Sequence, residues 1–487
     1  MFFKNLLKTK SLIKKTKAFK FNGEFSEVDN YDTKTCYNFI VKNGALETGY
    51  GFSEPVMPVS VGSSMFREVF VGDDVKCDLW HHSYYDELTG ERKDKLFWSL
   101  ESGDIGYLDI IGYGQVAVKM TAGFTSLPTA VSCVVDDKDC IMFSTSGELI
   151  KFTHGEFAQT EALLPKLVDL CLAYEKLWGV VEGKQNKILY SENLDFTNWT
   201  EQENNIVLDD EQGACNKLVF FEDELYVFRD YGITKISEYG TSRDFELFSR
   251  YSTKSRIYGK TVVRCGEKIV FLTQNGLYSF NGSSVKKIFK RFDDKVFGVD
   301  NKNAVAVTDG KKYILACRGK VDNIPVGCEG EESGYINNLL VMFDLESEAS
   351  NVVRGVDVRS MAFVSCEGFS GLFTTFYGKF ANKIGLLNTS GKIFNDDLPK
   401  VWKSKFTACG DMEKQKNVRS VFLTAYTDCV LTVETDLQEQ GFVVKGGEGV
   451  KEIKTFIKGN FVSLKIEASG NSKIYSPKIV YEEESKK

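Results

Sequence analysis

The chain has 487 residues, 13% of them aromatic, with 42 Gly, only 7 Pro and a formal net charge of −7. That length exceeds one ordinary core unless the fold is a large repetitive one, and the composition excludes wholesale disorder. The first 20 residues carry seven lysines and no acid, so the rest carries −14, which argues against the body gripping nucleic acid, since phosphate binding needs clustered Lys and Arg.

Residues 1–20, MFFKNLLKTKSLIKKTKAFK, read as a basic N-terminal arm. It is either a solvated tail or a segment that orders on a partner, and Lys4, Lys8, Lys10, Lys14, Lys15, Lys17 and Lys20 are the candidate docking residues. Lysines interrupt every apolar pair, so no secretory signal is expected. No window elsewhere reaches the roughly 18 apolar residues of a membrane helix, so no membrane span is expected and the chain is expected in the cytoplasm when made. Residues 21–60, with Asn43-Gly44 and Gly49-Tyr50-Gly51 turns, are expected to form strands that close or flank the repeat that follows.

Over 61–398 one pattern recurs. An apolar run appears as LFWSL (96–100), IMFST (141–145), LWGVV (177–181), LYVFR (225–229), IVFLT (269–273), YILAC (313–317) and LFTTF (372–376), with first residues 45, 36, 48, 44, 44 and 59 apart. A polar turn precedes each run, as in Glu222-Asp223-Glu224. A Gly turn and a second short strand follow, as in Asn275-Gly276-Leu277-Tyr278. Strand–turn–strand units at a period of roughly 40–50 residues are the mark of a β-propeller, whose small sheets bury their faces only against neighbours. The expected fold is therefore all-β: an irregular β-propeller of about seven blades. The 59-residue gap holds 322–334, which reads as an exposed insertion. Residues 399–487 alternate apolar and polar positions in six short strands, SVFLTAY (420–426), VLTVET (430–435), GFVVKG (441–446), EIKTFIKG (452–459), FVSLKIEA (461–468) and KIVYEE (478–483), and predict a small C-terminal β-sandwich.

Chemistry-bearing motifs are thin. The sequence has no GxxxxGK[ST], HExxH, GxSxG or CxxC, and no cofactor or metal is expected. The twelve cysteines, of which Cys133 and Cys140 are the one close pair, read as small buried thiols in a reducing compartment. His81-His82, inside Trp80-His81-His82-Ser83-Tyr84-Tyr85, is expected on a surface loop, because adjacent histidines point to opposite sides of a strand and rarely share a metal. Ser191, Asn193, Asp195, Thr197 and Trp199, within KILYSENLDFTNWTEQ (187–202), share residue types with the Asp-box turn of sialidase propellers, but at the wrong spacing and without its Gly. We read them as a side-chain-capped structural turn with Trp199 folded back on the blade edge. No catalytic residue is assigned, and a glycoside hydrolase is the lesser alternative.

Three stretches resemble one family. LWGVVEGKQNKILYSENLDFTNWTE (177–201), CYNFIVKNGALETGYG (36–51), and KVWKSKFTACGDMEKQKNVRSVFLTAY (400–426) with FIKGNFVSLKIE (456–467) are similar to the β-propeller nozzle, hub or tubular components of short-tailed bacteriophage tails and prophages. The order matches, and Phe196 departs from the pattern, standing where the family commonly has Pro. The resemblance implies a virion tail protein, not an enzyme. It would form a ring, usually a hexamer, with copies of itself, contact portal and other tail proteins, and let DNA pass without specific binding. An acidic lumen would suit that passage. The alternative is a propeller that binds a host receptor or glycan through aromatic loops such as Trp80–Tyr85.

Overall fold

The computed structural model describes residues 14–27, 32–55, 74–87, 89–110, 116–123, 126–135, 137–153, 155–160, 164–239, 244–321 and 332–485. The chain is nearly all-β, about 59% strand and 4% helical. It divides into a larger unit, 52–348 with 354–387, and a smaller one, 1–51 with 349–353 and 388–487.

In the larger unit, small antiparallel sheets follow one another along the chain, with strands in sequence order except in the last, where Gly51–Ser53 lies beside Ile384–Asn388. The described sheets lie at 76–123, 129–159, 167–207, 215–252, 263–288, 305–344 and 358–388. Each of the expected apolar runs falls on the second strand of its own sheet: Glu91–Leu100, Lys138–Ser144, Lys176–Val181, Glu224–Arg229, Lys268–Thr273, Lys312–Cys317 and Phe369–Phe376. These strands are buried on both faces, as in Lys176–Val181, which is why they read as continuous apolar runs rather than alternating ones. The turns before them have the backbone that tight hairpins need. Tyr174 and Glu175 (φ 51° and 56°), and Glu222 and Asp223 (φ 50° and 61°), are left-handed at both central positions. That geometry matches the twist of the strands it joins.

Neighbouring sheets share cores. Phe97 of the first sheet meets Phe152 of the second at 4.9 Å, Trp178 of the third meets Phe245 of the fourth at 4.9 Å, and Phe228 of the fourth meets Phe271 of the fifth at 5.4 Å between ring centroids. Side chains also reach across to neighbouring backbone. Tyr174 OH donates to Ile236 O at 2.8 Å, and Asn337 Nδ2 donates to Val358 O at 2.8 Å. The last sheet packs on the first: Leu79, Leu96, Trp98 and Leu108 share a core with Ala362, Val364, Phe373 and Ile384. Two hydrogen bonds join the same pair, Leu79 N to Ser360 Oγ (3.2 Å) and Thr375 Oγ1 to Cys77 O (2.5 Å). Phe52 stacks edge-on against Phe376 at 5.2 Å.

In the smaller unit, one sheet has the order Lys14–Ala18, Lys478–Ser485, Lys414–Leu423, Lys451–Gly459. Another has Thr33–Tyr37, Lys400–Ser404, Val462–Ala468, Cys429–Thr435, Glu439–Val444. Both contribute to one core that includes Phe19, Trp402, Val418, Val421, Leu431, Leu464, Ile466 and Ile479. The expected C-terminal strands all appear, within a few residues of their expected ends. Asn43 and Gly44 (φ 51° and 74°) make the turn between Phe39–Lys42 and Ala45–Thr48.

Residues up to 51 group with the C-terminal strands in the smaller unit, which resumes at 388, while the strand Gly51–Ser53 joins the sheet of Val358–Cys366, Phe369–Phe376 and Ile384–Asn388. The second half of the basic arm is a strand, Lys14–Ala18, paired antiparallel with Lys478–Ser485. Fully buried Phe19 anchors it in the core. Glu483 of the partner strand pairs with Lys15, so part of a run that reads as a solvated tail has a folded place within the chain.

Candidate docking segments and the 191–199 corner

The 191–199 segment follows strand Lys187–Tyr190, the third of its sheet, and its polar groups are spent on itself. Ser191, fully buried, accepts Leu177 N at Oγ (3.0 Å) and donates to Glu192 O (3.0 Å). Asn193 Nδ2 donates to Glu175 Oε2 (2.9 Å), and Leu194 (φ 55°) donates its N–H to Glu175 O (2.8 Å). Both bonds lock the corner onto the preceding hairpin. Asp195 Oδ1 accepts Thr197 N (3.2 Å) and Thr197 Oγ1 (2.8 Å), a side-chain-capped turn. Trp199 Nε1 donates to Phe196 O (2.8 Å). Phe196, where the resembling family has Pro, is 4% exposed and packs with Leu164, Leu167, Leu177 and Leu189. The space beside Trp199 and Asn204 is about 20 Å³, roughly one water. The corner is a structural joint with no room for a substrate.

Of the docking lysines, Lys4, Lys8 and Lys10 lie outside the described residues. Lys15 pairs with Glu483 at 2.7 Å, and this hydrogen bond holds the Glu483 carboxyl below the usual carboxylate range. Lys17 pairs with Asp32 at 2.9 Å, and the Lys20 N–H donates to the same carboxylate at 2.8 Å. Lys14 and Lys20 are exposed. The lysines in the described part of the arm are thus split between internal ion pairs and open surface.

The Trp80–Tyr85 segment is not a surface loop: it is part of strand Lys76–Asp86, the first of its sheet. Alternation along the strand sends the two histidines apart. His81 Nε2 bonds Asp94 Oδ1 at 2.7 Å. His82 is 2% exposed, stacks on Tyr84 at 5.9 Å and bonds Ser132 Oγ through Nδ1 at 3.0 Å. Burial drives the His82 pKa down to about 4, so it is neutral at pH 7. Burial pushes Asp94 the other way, but hydrogen bonds from His81 and Ser83 outweigh it and keep the carboxyl below its usual range. The pattern Trp-His-His-Ser-Tyr-Tyr gave no signal of these partners, because Asp94 and Ser132 come from other strands. Of the aromatic side chains in the segment, Tyr85 is the strongly exposed one.

Among the described residues no group of three His, Cys, Asp or Glu side chains is placed to hold a metal ion. The described cysteines are free and, apart from half-buried Cys366, buried; Cys133 and Cys140 face each other across paired strands with Sγ atoms 3.5 Å apart. Cys328 and most of the 322–334 insertion, residues 322–331, lie outside the described residues. No described helix is long and apolar enough to cross a membrane.

No family model and no curated protein matches the chain. Solved structures are similar at low identity. A selenomethionine-substituted virginiamycin B lyase from Staphylococcus aureus is 11% identical, with 64% of this chain and 99% of that chain covered and a TM-score of 0.41. BBS1N in complex with ARL6DN is 9% identical, with 69% and 96% covered and a TM-score of 0.42. The extracellular domain of BT4673 from B. thetaiotaomicron is 9% identical, with 90% and 59% covered and a TM-score of 0.43.

Proposed function

We propose that the chain is a structural protein of a short-tailed phage or prophage virion, a nozzle, hub or connector component that assembles into a ring through which DNA passes. In this reading the larger unit is a β-propeller of seven blades closed by packing of the last sheet on the first, and the smaller unit is a β-sandwich. The observation that carries the reading is the resemblance of 36–51, 177–201, and 400–426 with 456–467. Its support is that the first and third stretches, far apart in sequence, are paired strands of one unit, with Cys36 opposite Trp402 and Tyr37 opposite Val401. The second is a self-bonded corner.

A subunit of a ring needs apolar contact surface. Among the described residues, ten of the nineteen exposed large apolar side chains fall within 406–475, including Val443 (72%), Met412 (70%) and Phe456 (69%). That concentration favours the smaller unit as the assembling part. The receptor-binding alternative rested on an exposed aromatic loop; the Trp80–Tyr85 segment is instead part of a strand, in which Tyr85 is the strongly exposed aromatic.

The test is particle composition. The chain should copurify with virions and be located at the tail by antibody-labelled electron microscopy. Val443→Glu with Phe456→Glu should leave the chain folded yet exclude it from particles. Purified virions that lack the chain would overturn the proposal.

A further inference from the structure

The larger unit contains a cavity of about 280 Å³ that the virion reading does not use. It lies among first strands of several sheets. Trp80 comes from Lys76–Asp86, Val131 from Thr129–Val135, Val307 from Val305–Thr308, and Met361 and Phe363 from Val358–Cys366. These side chains make an apolar wall. Two polar groups, His81 and Ser132, break it, and both come from the adjoining first and second sheets.

The orientation of those groups is fixed from behind. Asp94 is ionised and accepts only, so His81 Nε2 carries the proton it shares at 2.7 Å. Nε2 is thereby occupied, and Nδ1 is the ring's other polar atom. Ser132 Oγ sits 3.0 Å from His82 Nδ1. Whichever of the two donates, the hydroxyl oxygen keeps a lone pair. The polar edge of the cavity therefore presents the Ser132 hydroxyl as an acceptor beside His81, facing an apolar wall. Small-molecule sites have this composition: mostly apolar, with a few placed polar groups. Size limits the guest, since an apolar cavity of roughly 150 Å³ already binds benzene. About 280 Å³ takes one substituted ring or a compact bicycle.

We infer that this cavity is a binding site for an aryl group carrying an O–H or N–H donor, the ring against Trp80, Val307, Met361 and Phe363 and the donor on Ser132 Oγ. Phenol and indole chemistry fits. The group comes either from a free small molecule or from a tyrosine or tryptophan side chain of a peptide. The inference stands independently of the virion reading.

The test titrates the full chain with p-cresol, toluene and N-acetyl-tyrosinamide, read by ligand-observed saturation-transfer NMR and tryptophan fluorescence. Saturable binding of p-cresol is expected, roughly tenfold tighter than toluene, the difference one hydrogen bond makes. Binding of N-acetyl-tyrosinamide as well would assign the site to a peptide side chain; binding of p-cresol alone would assign it to a free phenol. Val307→Trp, which fills the cavity, should abolish binding of every probe. Ser132→Ala, at an exposed hydroxyl, should keep toluene binding and shrink the preference for p-cresol. Equal affinity for p-cresol and toluene, an affinity unmoved by Val307→Trp in a chain with an unchanged far-ultraviolet spectrum, or no saturation in the millimolar range would overturn the inference.

Discussion

Phe196 holds the 191–199 corner by burial, and this accounts for a residue that departs from the resembling family. A proline there would stiffen the turn; the phenylalanine instead inserts a ring among Leu164, Leu177 and Leu189. Phe196→Ala should cost roughly 3–5 kcal/mol, whereas Asp195→Ala, which removes an exposed cap, should cost about 1 kcal/mol. Urea unfolding ranks the two, and the opposite order would make the turn the anchor. His82 gives a second residue-scale prediction. Its pKa is near 4 in the folded chain, below the ordinary 6.5, because burial disfavours the imidazolium. The unfolded state binds the proton first as pH falls, so the His82 contribution is complete above pH 6.5 and is lost between 6.5 and 4, at most about 3 kcal/mol. The denaturation midpoint should fall across that window, and His82→Gln should flatten the fall. An equal slope in both proteins would assign the pH dependence to other groups. Neither residue was legible in its role: a buried ring and a buried imidazole depend on neighbours from other strands, which residue types in order do not reveal.

At the scale of the element, legibility follows burial. The second strand of each sheet is covered on both faces and announces itself as an unbroken apolar run between polar turns, so these strands are legible in the sequence. The C-terminal strands alternate, with one face on a core, and were legible for the complementary reason. The first strand, Lys14–Ala18, gave no such sign. Its residues are mostly exposed, and what fixes it is pairing with Lys478–Ser485 at the far end of the chain, together with Phe19 just after it. Phe19→Ala should therefore destabilise the smaller unit by roughly 3–5 kcal/mol. Lys15→Ala, at a largely solvated ion pair, should change it by no more than about 1 kcal/mol. Near-ultraviolet circular dichroism and tryptophan fluorescence, to which Trp402 in the same core contributes, read the loss. If Phe19→Ala left the Trp402 transition unmoved, the strand would be an appendage, as its lysines alone suggest.

For the larger unit as a whole, the question is whether the sheets form an open array or a closed one. An open stack of repeats has two ends, and unfolding starts there and spreads, with stability set by nearest neighbours. When the last sheet is packed on the first, no end exists. The shared core of Trp98, Leu108, Val364 and Phe373 then does the work of closure, and a defect in it is felt all round. The spacing of the apolar runs could propose such closure but not establish it, because the contacts that make it join residues almost 300 positions apart, such as Leu79 with Ser360 and Cys77 with Thr375. Phe373→Ala is the direct probe, removing a fully buried ring from that core. Hydrogen exchange followed by mass spectrometry should show protection falling not only at 76–123 and 358–388 but, to a similar extent, in the sheet at 215–252, which Phe373 does not touch. Loss confined to the first and last sheets, with 215–252 unchanged, would mean that the sheets unfold as a line with two ends and that the seven-bladed ring is the wrong description.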